Sequence, residues 1–124
     1  MTLELPAFRD RDFAVEAEII DGRVHARFIG NADMDAITPL EKILPALHQE
    51  LVRNNAREVE VDFRQLEFMS SACLKLFVNW VAEIIDAPTD QQYKLRFRAN
   101  ADMRWQRRSL QALQCFSEHV VVET

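Results

Sequence analysis

The residues whose types and spacing suit them to chemistry cluster in Ser70-Ser71-Ala72-Cys73, where a strand-like segment gives way to a strongly apolar helical run. A serine at such a junction caps the helix by accepting a backbone N–H, which makes Ser70 the candidate N-cap and leaves Ser71 in the first turn. A hydroxyl there also suits phosphorylation, because the helix N-terminus tolerates the added charge of about −1.5 to −2. Capping alone accounts equally well for the pair. A thiol in the first turn, as at Cys73, can have a lowered pKa and sense oxidants, although free cysteine is more often a small buried hydrophobe. Catalysis finds no support: no serine or cysteine has an identifiable histidine and acid partner, and there is no glycine-rich phosphate loop or paired-carboxylate motif. His25, His48 and His119 fall in unrelated segments with no metal-ligand spacing, and Cys73 and Cys115 form no CxxC pair, so neither a metal nor a cofactor is expected.

Alternating polarity supplies the frame. Residues 14–20 and 23–29 read as a hairpin joined by Asp21-Gly22, a dipeptide favoured in two-residue turns. That turn sets Glu18 opposite His25, Glu16 opposite Arg27, Val15 opposite Phe28 and Ile19 opposite Val24, giving one charged and one apolar face, with His25 solvated. Thr38-Pro39-Leu40-Glu41 then combines a capping box with proline at the first helical position, and Leu40, Leu44, Leu47 and Leu51 form the stripe of a first helix. Asn54-Asn55 ends it, and Pro45 should bend it or remove a hydrogen bond. Two further strands, 58–63 and 93–99, carry opposite charges on their polar faces. Glu58, Glu60 and Asp62 mark one and Lys94, Arg96 and Arg98 the other, so as neighbours they would set an acidic strand against a basic one.

The second helix has two apolar stripes. Leu74, Phe77, Val78, Val81 and Ile85 recur at core-facing spacing, while Cys73, Leu76, Trp80 and Ile84 form another, leaving Lys75, Asn79, Ala82 and Asp86 on a narrow polar edge. Such a helix is buried on several sides or presents a surface to another protein; Ile84 is assigned to the core and Trp80 to a partner contact. Residues 100–116 read as a third helix with Met103, Leu110 and Leu113 inward and Arg104, Arg107 and Arg108 outward. Trp105 either packs at the sheet edge or meets an acidic protein, and residues 119–122 suggest a closing strand.

The chain has 124 residues, 48% hydrophobic and 28% charged, with two glycines and four prolines, a composition for one domain over 1–124 with 1–12 as an N-terminal arm or edge segment. No signal peptide or membrane-spanning run is evident, so a soluble cytoplasmic protein without membrane insertion is expected. Net charge is −5; residues 91–124 hold six Lys or Arg against three acids, so they carry +3 and residues 1–90 carry −8. An acidic chain with no RNA-stacking motif is not expected to bind nucleic acid through Lys94, Arg96 and Arg98.

The stretch from Val61 to Leu74 resembles the STAS family segment in which a strand ending near an Asp leads through D-[ST]-[ST]-G-L into a helix. Asp62 stands at the strand Asp, Ser70 at the motif Asp, Ser71 at the phosphorylated hydroxyl, Ala72 at the second hydroxyl, Cys73 at the Gly and Leu74 at the Leu. Gly30-Asn31-Ala32-Asp33 resembles the family's G-x-x-D loop, which lies beside that turn, and the order of elements agrees over nearly the whole chain. The resemblance implies an α/β fold, a mixed sheet of hairpin plus parallel strands with helices mainly on one face. It also implies a non-enzymatic bacterial signalling module like an anti-sigma factor antagonist, docking a serine kinase or an anti-sigma factor. Ser71 would be the phosphoacceptor, with Ser70 as alternate, and Asp33, Ala72, Cys73, Lys75, Leu76, Asn79 and Trp80 would complete the partner face. Lys75, one turn on, could neutralise a phosphate. Two alternatives stand beside partner switching: a passive scaffold or homo-oligomerisation module without phosphorylation, and a thiol redox sensor through Cys73.

Overall fold

The hairpin forms as its turn demands. Asp21 and Gly22 both adopt positive φ, 52° and 79°, and strands β2 (Phe13–Ile20) and β3 (Arg23–Ala32) pair antiparallel with Glu18 opposite His25 and Val15 opposite Phe28. The computed structural model describes residues 5–124, so the first four residues of the expected arm lie outside the described residues. Within the rest of that arm a two-residue strand, β1 (Phe8–Arg9), pairs with β2 and closes one sheet edge.

Beyond the hairpin the chain runs through α1 (Ile37–Arg53), β4 (Glu58–Asp62), β5 (Leu66–Met69), α2 (Ser71–Asp86), β6 (Lys94–Arg98), α3 (Arg104–Phe116) and β7 (Val120–Glu123). The sheet order is β1-β2-β3-β4-β6-β7, with β3, β4, β6 and β7 parallel and β5 pairing with the last residues of β3. The helices lie side by side, α1 on α2 and α2 on α3, over one face of this mixed sheet. There Val24, Ala26, Phe28, Val59, Val61, Leu95 and Phe97 are buried. Phe63 is the hub of an aromatic cluster, meeting Phe28, Phe77 and Phe97 edge to face with ring centroids 5.2–5.6 Å apart.

The opposite face is a lattice of ion pairs. The acidic and basic strands are neighbours, Glu58 beside Lys94, Glu60 beside Arg96 and Asp62 beside Arg98. Arg98 reaches Glu60 at 3.2 Å, and Arg96 bridges Glu58 at 3.1 Å to Glu123. Pairing absorbs the charge of Arg96 and Arg98 within the sheet, and Lys94 is exposed without an ion pair among the described residues. His25 is not simply solvated, since its Nδ1 lies 2.6 Å from Glu60 and it is half-buried. Asp62 is buried; burial alone would raise its pKa, but hydrogen bonds from the Arg64 side chain and backbone, with the charges of Arg64 and Arg27, hold it below the usual carboxylate value.

Two helix starts differ from expectation. Helix α1 begins at Ile37 rather than at the Thr38-Pro39 box, because Asp33 starts the spiral earlier. Its carboxylate accepts the Met34 N–H at 2.9 Å and its carbonyl the Ala36 N–H at 2.8 Å, making a 3-10 turn, Met34–Ala36, that runs into the helix. Pro39 still falls in the first turn, where a missing N–H costs nothing. Helix α3 begins at Arg104 rather than residue 100, because the Asn100 side chain accepts the Asp102 N–H at 2.9 Å and holds residues 100–103 in a turn. Met103 is therefore a half-buried N-cap, while Leu110 and Leu113 are inward.

Gly30 holds the strand ends together. At φ +93°, a Cβ added there would lie 2.2 Å from the Asp12 carbonyl oxygen. Gly30→Ala should lower unfolding free energy by about 2 kcal/mol or more, as strained backbone with a clash does. Gly22→Ala, with open space around it, should cost about 1–2 kcal/mol; urea unfolding of both checks the order. Asp62 supplies a second test. A carboxyl with a depressed folded pKa stabilises the fold above its unfolded value, near pH 4, and loses that contribution as pH falls through the folded value. Arg64→Ala should therefore move the onset of acid unfolding to higher pH.

Candidate functional site

The C-terminal ends of β3 and β5 bring the residues singled out by the sequence to one end of the sheet. The Ser70 N–H donates to the Ala32 carbonyl at 2.8 Å, and the Asn31 N–H donates to the Asp12 carbonyl, also at 2.8 Å. Residues 30–33 and the start of α2 are thus joined through backbone. Ser70 is the N-cap of α2: its Oγ accepts the Cys73 N–H at 3.2 Å and its carbonyl accepts the Leu74 N–H at 2.9 Å. Ser71 is the first helical residue and is exposed, and its hydroxyl has no hydrogen-bond partner among the described residues. The two hydroxyls therefore differ in kind, one spent on the helix and one free.

Asp33 is exposed although its carboxylate caps the 3-10 turn. Ala72 and Lys75 are exposed as well, and Lys75 lies one turn beyond Ser71 with no ion pair among the described residues. Leu76 and Asn79 lie further along, lining a cleft of about 180 Å³ between α1 and α2 with Leu40, Leu44 and Pro45.

Two residues expected at the partner face are not there. Cys73 is fully buried and directs its Sγ at the Asp33 carbonyl, 3.4 Å away. Desolvation pushes its thiol pKa up, a smaller opposing effect comes from the Ser70 hydrogen bond, and the Asp33 charge raises it further. Burial outweighs the helix N-terminus, so Cys73 lacks the thiolate character of a redox sensor. Trp80 is 1% exposed, and its indole N–H donates to the Tyr93 hydroxyl at 2.7 Å, which lies 2.7 Å from His48 Nδ1. Contacts with α1 on one side and α3 on the other widen the buried arc of α2. Ile85, expected in the core, is left 43% exposed, while Ile84 is buried as assigned. Trp105 packs half-buried against the core.

Sequence reasoning missed two exposed apolar residues here. Met34, between two aspartates in the 3-10 turn, is 68% exposed, and Phe68, two residues before the cap, is 43% exposed. The only signal for Met34 was a large apolar side chain in a polar turn.

Known proteins bear on the fold. No family model matches the sequence, and no curated protein matches it. Among solved structures, the chain is similar to the crystal structure of an anti-sigma factor antagonist from Mycobacterium paratuberculosis, with TM-score 0.64 and 17% identity over 89% of this chain and 86% of that one. The two share the STAS fold, as the order of elements implied. No helix of the described residues is long and apolar enough to cross a membrane.

Two measurements test this geometry. Ser70→Ala should cost about 1 kcal/mol of stability through the lost cap, whereas Ser71→Ala should stay within about 0.5 kcal/mol, as surface substitutions do; chemical unfolding separates them. Iodoacetamide should label native Cys115, which is exposed, and reach Cys73 only after unfolding.

Proposed function

We propose that this chain is a non-catalytic signalling module that docks a protein partner through the end of the sheet where α2 begins, and that phosphorylation of Ser71 releases the partner. The observation that carries the reading is the division of labour between the serines: Ser70 is engaged as the cap, while Ser71 is exposed and unbonded. A kinase can take the Ser71 hydroxyl without breaking the helix start. The likeness to an anti-sigma factor antagonist supports a partner of the anti-sigma factor or serine-kinase class and a place in the cytoplasm of a bacterial cell.

A phosphate on Ser71 would be accommodated by the N–H groups of the first turn. Its effect on a partner is of another kind. The dianion and its hydration shell would sit on the surface that a partner covers, and a partner closing over it would have to strip that water. Asp33 and Asp35 add like charge, and Lys75 is the nearest candidate counter-charge on α2.

The test is to isolate the protein with its partners from its source organism and map phosphate on the peptide containing Ser70 and Ser71. Phosphate is expected on Ser71 of the free form and not on the partner-bound form. With the partner in hand, Ser71→Glu should weaken binding by at least about tenfold, or 1.4 kcal/mol, and Ser71→Ala should retain it. An unmodified peptide in every growth condition, with the partner still bound, would leave a constitutive scaffold in place of the switch.

A further inference from the structure

The strand that leads into the Ser70 cap carries an irregularity. Gly30 of β3 pairs with Leu66 of β5, but the next residue, Asn31, pairs with Phe68, so Glu67 is an extra residue in β5. One inserted residue reverses every side chain beyond it. Leu66 is buried on the helix side, and regular alternation would send Phe68 there too. Instead Phe68 shares the solvent face with Asn31, while Met69 turns inward beside Ala32. The bulge takes a phenylalanine out of the core and displays it.

We infer that Phe68 and Met34 are the paired apolar anchors of the docking face, and that the partner presents an apolar socket rimmed by Lys and Arg. The inference rests on the docking role proposed above and extends it from α2 onto the open side of the sheet. Both anchors are tethered to the Ser71 end of the sheet. Phe68 precedes Ser71 by three positions and Met34 follows Asn31, the ladder partner of Phe68, by three, and each such step spans at most about 11 Å. That reach fits inside an ordinary interface, about 800 Å² on each partner. Both backbones are fixed, Phe68 on a strand and Met34 in a turn capped by Asp33, so their burial orders side chains but no loop.

Charge identifies the rim. Asp33 and Asp35 flank Met34 and Glu67 precedes Phe68, all three exposed and without ion pairs among the described residues; Arg64 is engaged with Asp62, and the exposed Arg104, Arg107 and Arg108 stand apart from the anchors on α3. The acids of the open sheet face are mostly paired internally, whereas these adjoin the anchors along the chain and have no ion pair of their own among the described residues. A basic partner surface complements them and speeds encounter.

The experiment places the photocrosslinker p-benzoylphenylalanine, one site at a time, at Phe68, Met34 and Lys75, with Ile20 and Phe116 as exposed comparison sites, in cells of the source organism. Crosslinked partner peptides are then sequenced. Supporting results are one shared partner at 34, 68 and 75 but not at 20 or 116, and joined peptides that are apolar and flanked by Lys or Arg. With that partner purified, Phe68→Ala should weaken binding by at least about tenfold with an unchanged thermal midpoint, and binding should weaken further as salt rises. Crosslinking at 75 but not at 68 overturns the inference and leaves the docking role standing. Crosslinking at none of the three sites overturns both. Joined peptides rich in acidic residues, or binding indifferent to salt, overturn the basic rim.

Discussion

The close approach of Gly30 to the Asp12 carbonyl is the constraint on which the rest of this molecule turns. Because no side chain intervenes, β3 donates from Asn31 to Asp12 on one side and from Gly30 to Gln65 on the other, the latter at 3.0 Å. The β1–β2 turn, the end of β3 and the start of β5 are thereby gathered at one point. Everything of functional interest is hung from that junction: the Asp33 turn one way, the bulge, Phe68 and the Ser70 cap the other. A larger residue at position 30 would separate these segments before any surface chemistry was altered.

The two sheet faces divide the remaining work. On the helix side, aromatic and aliphatic packing holds α2 between α1 and α3, with Tyr93 accepting from Trp80 deep in the core. On the open side, complementary charges on adjacent parallel strands keep a broad polar surface from offering a hydrophobic patch. Individual exposed pairs contribute little stability, but their arrangement engages Arg96 and Arg98 and leaves Lys94 as the one cation of the basic strand without an ion pair among the described residues.

How much of this was legible in the sequence depended on the range of each interaction. The hairpin register could be read because Asp21-Gly22 and its flanking alternation are local. The acidic and basic strands declared their faces, although only the parallel register of β3 and β4 shows that Glu60 also takes His25. Ser70 as cap was legible from its place before an apolar helical run. Trp80 was not, because helical period identifies a stripe but not how many neighbours will cover it. The Thr38-Pro39 pattern misled because Asp33, an equally good initiator, lies five residues upstream. The bulge was beyond reach, since Leu66-Glu67-Phe68-Met69 reads as an ordinary strand and the inserted residue is defined only by its partner.

The burial of α2 has a consequence for signalling. With Cys73, Phe77, Trp80, Val81 and Ile84 all locked in the core, the helix cannot slide or rotate without unmaking the packing that holds the fold. On the switch proposed above, a phosphate at its first residue would therefore act as a change of label rather than of shape. Such a device would have no moving part. Its response time would be that of the enzymes that write and erase the label, and two copies of the chain in opposite states would be superimposable except for a few atoms.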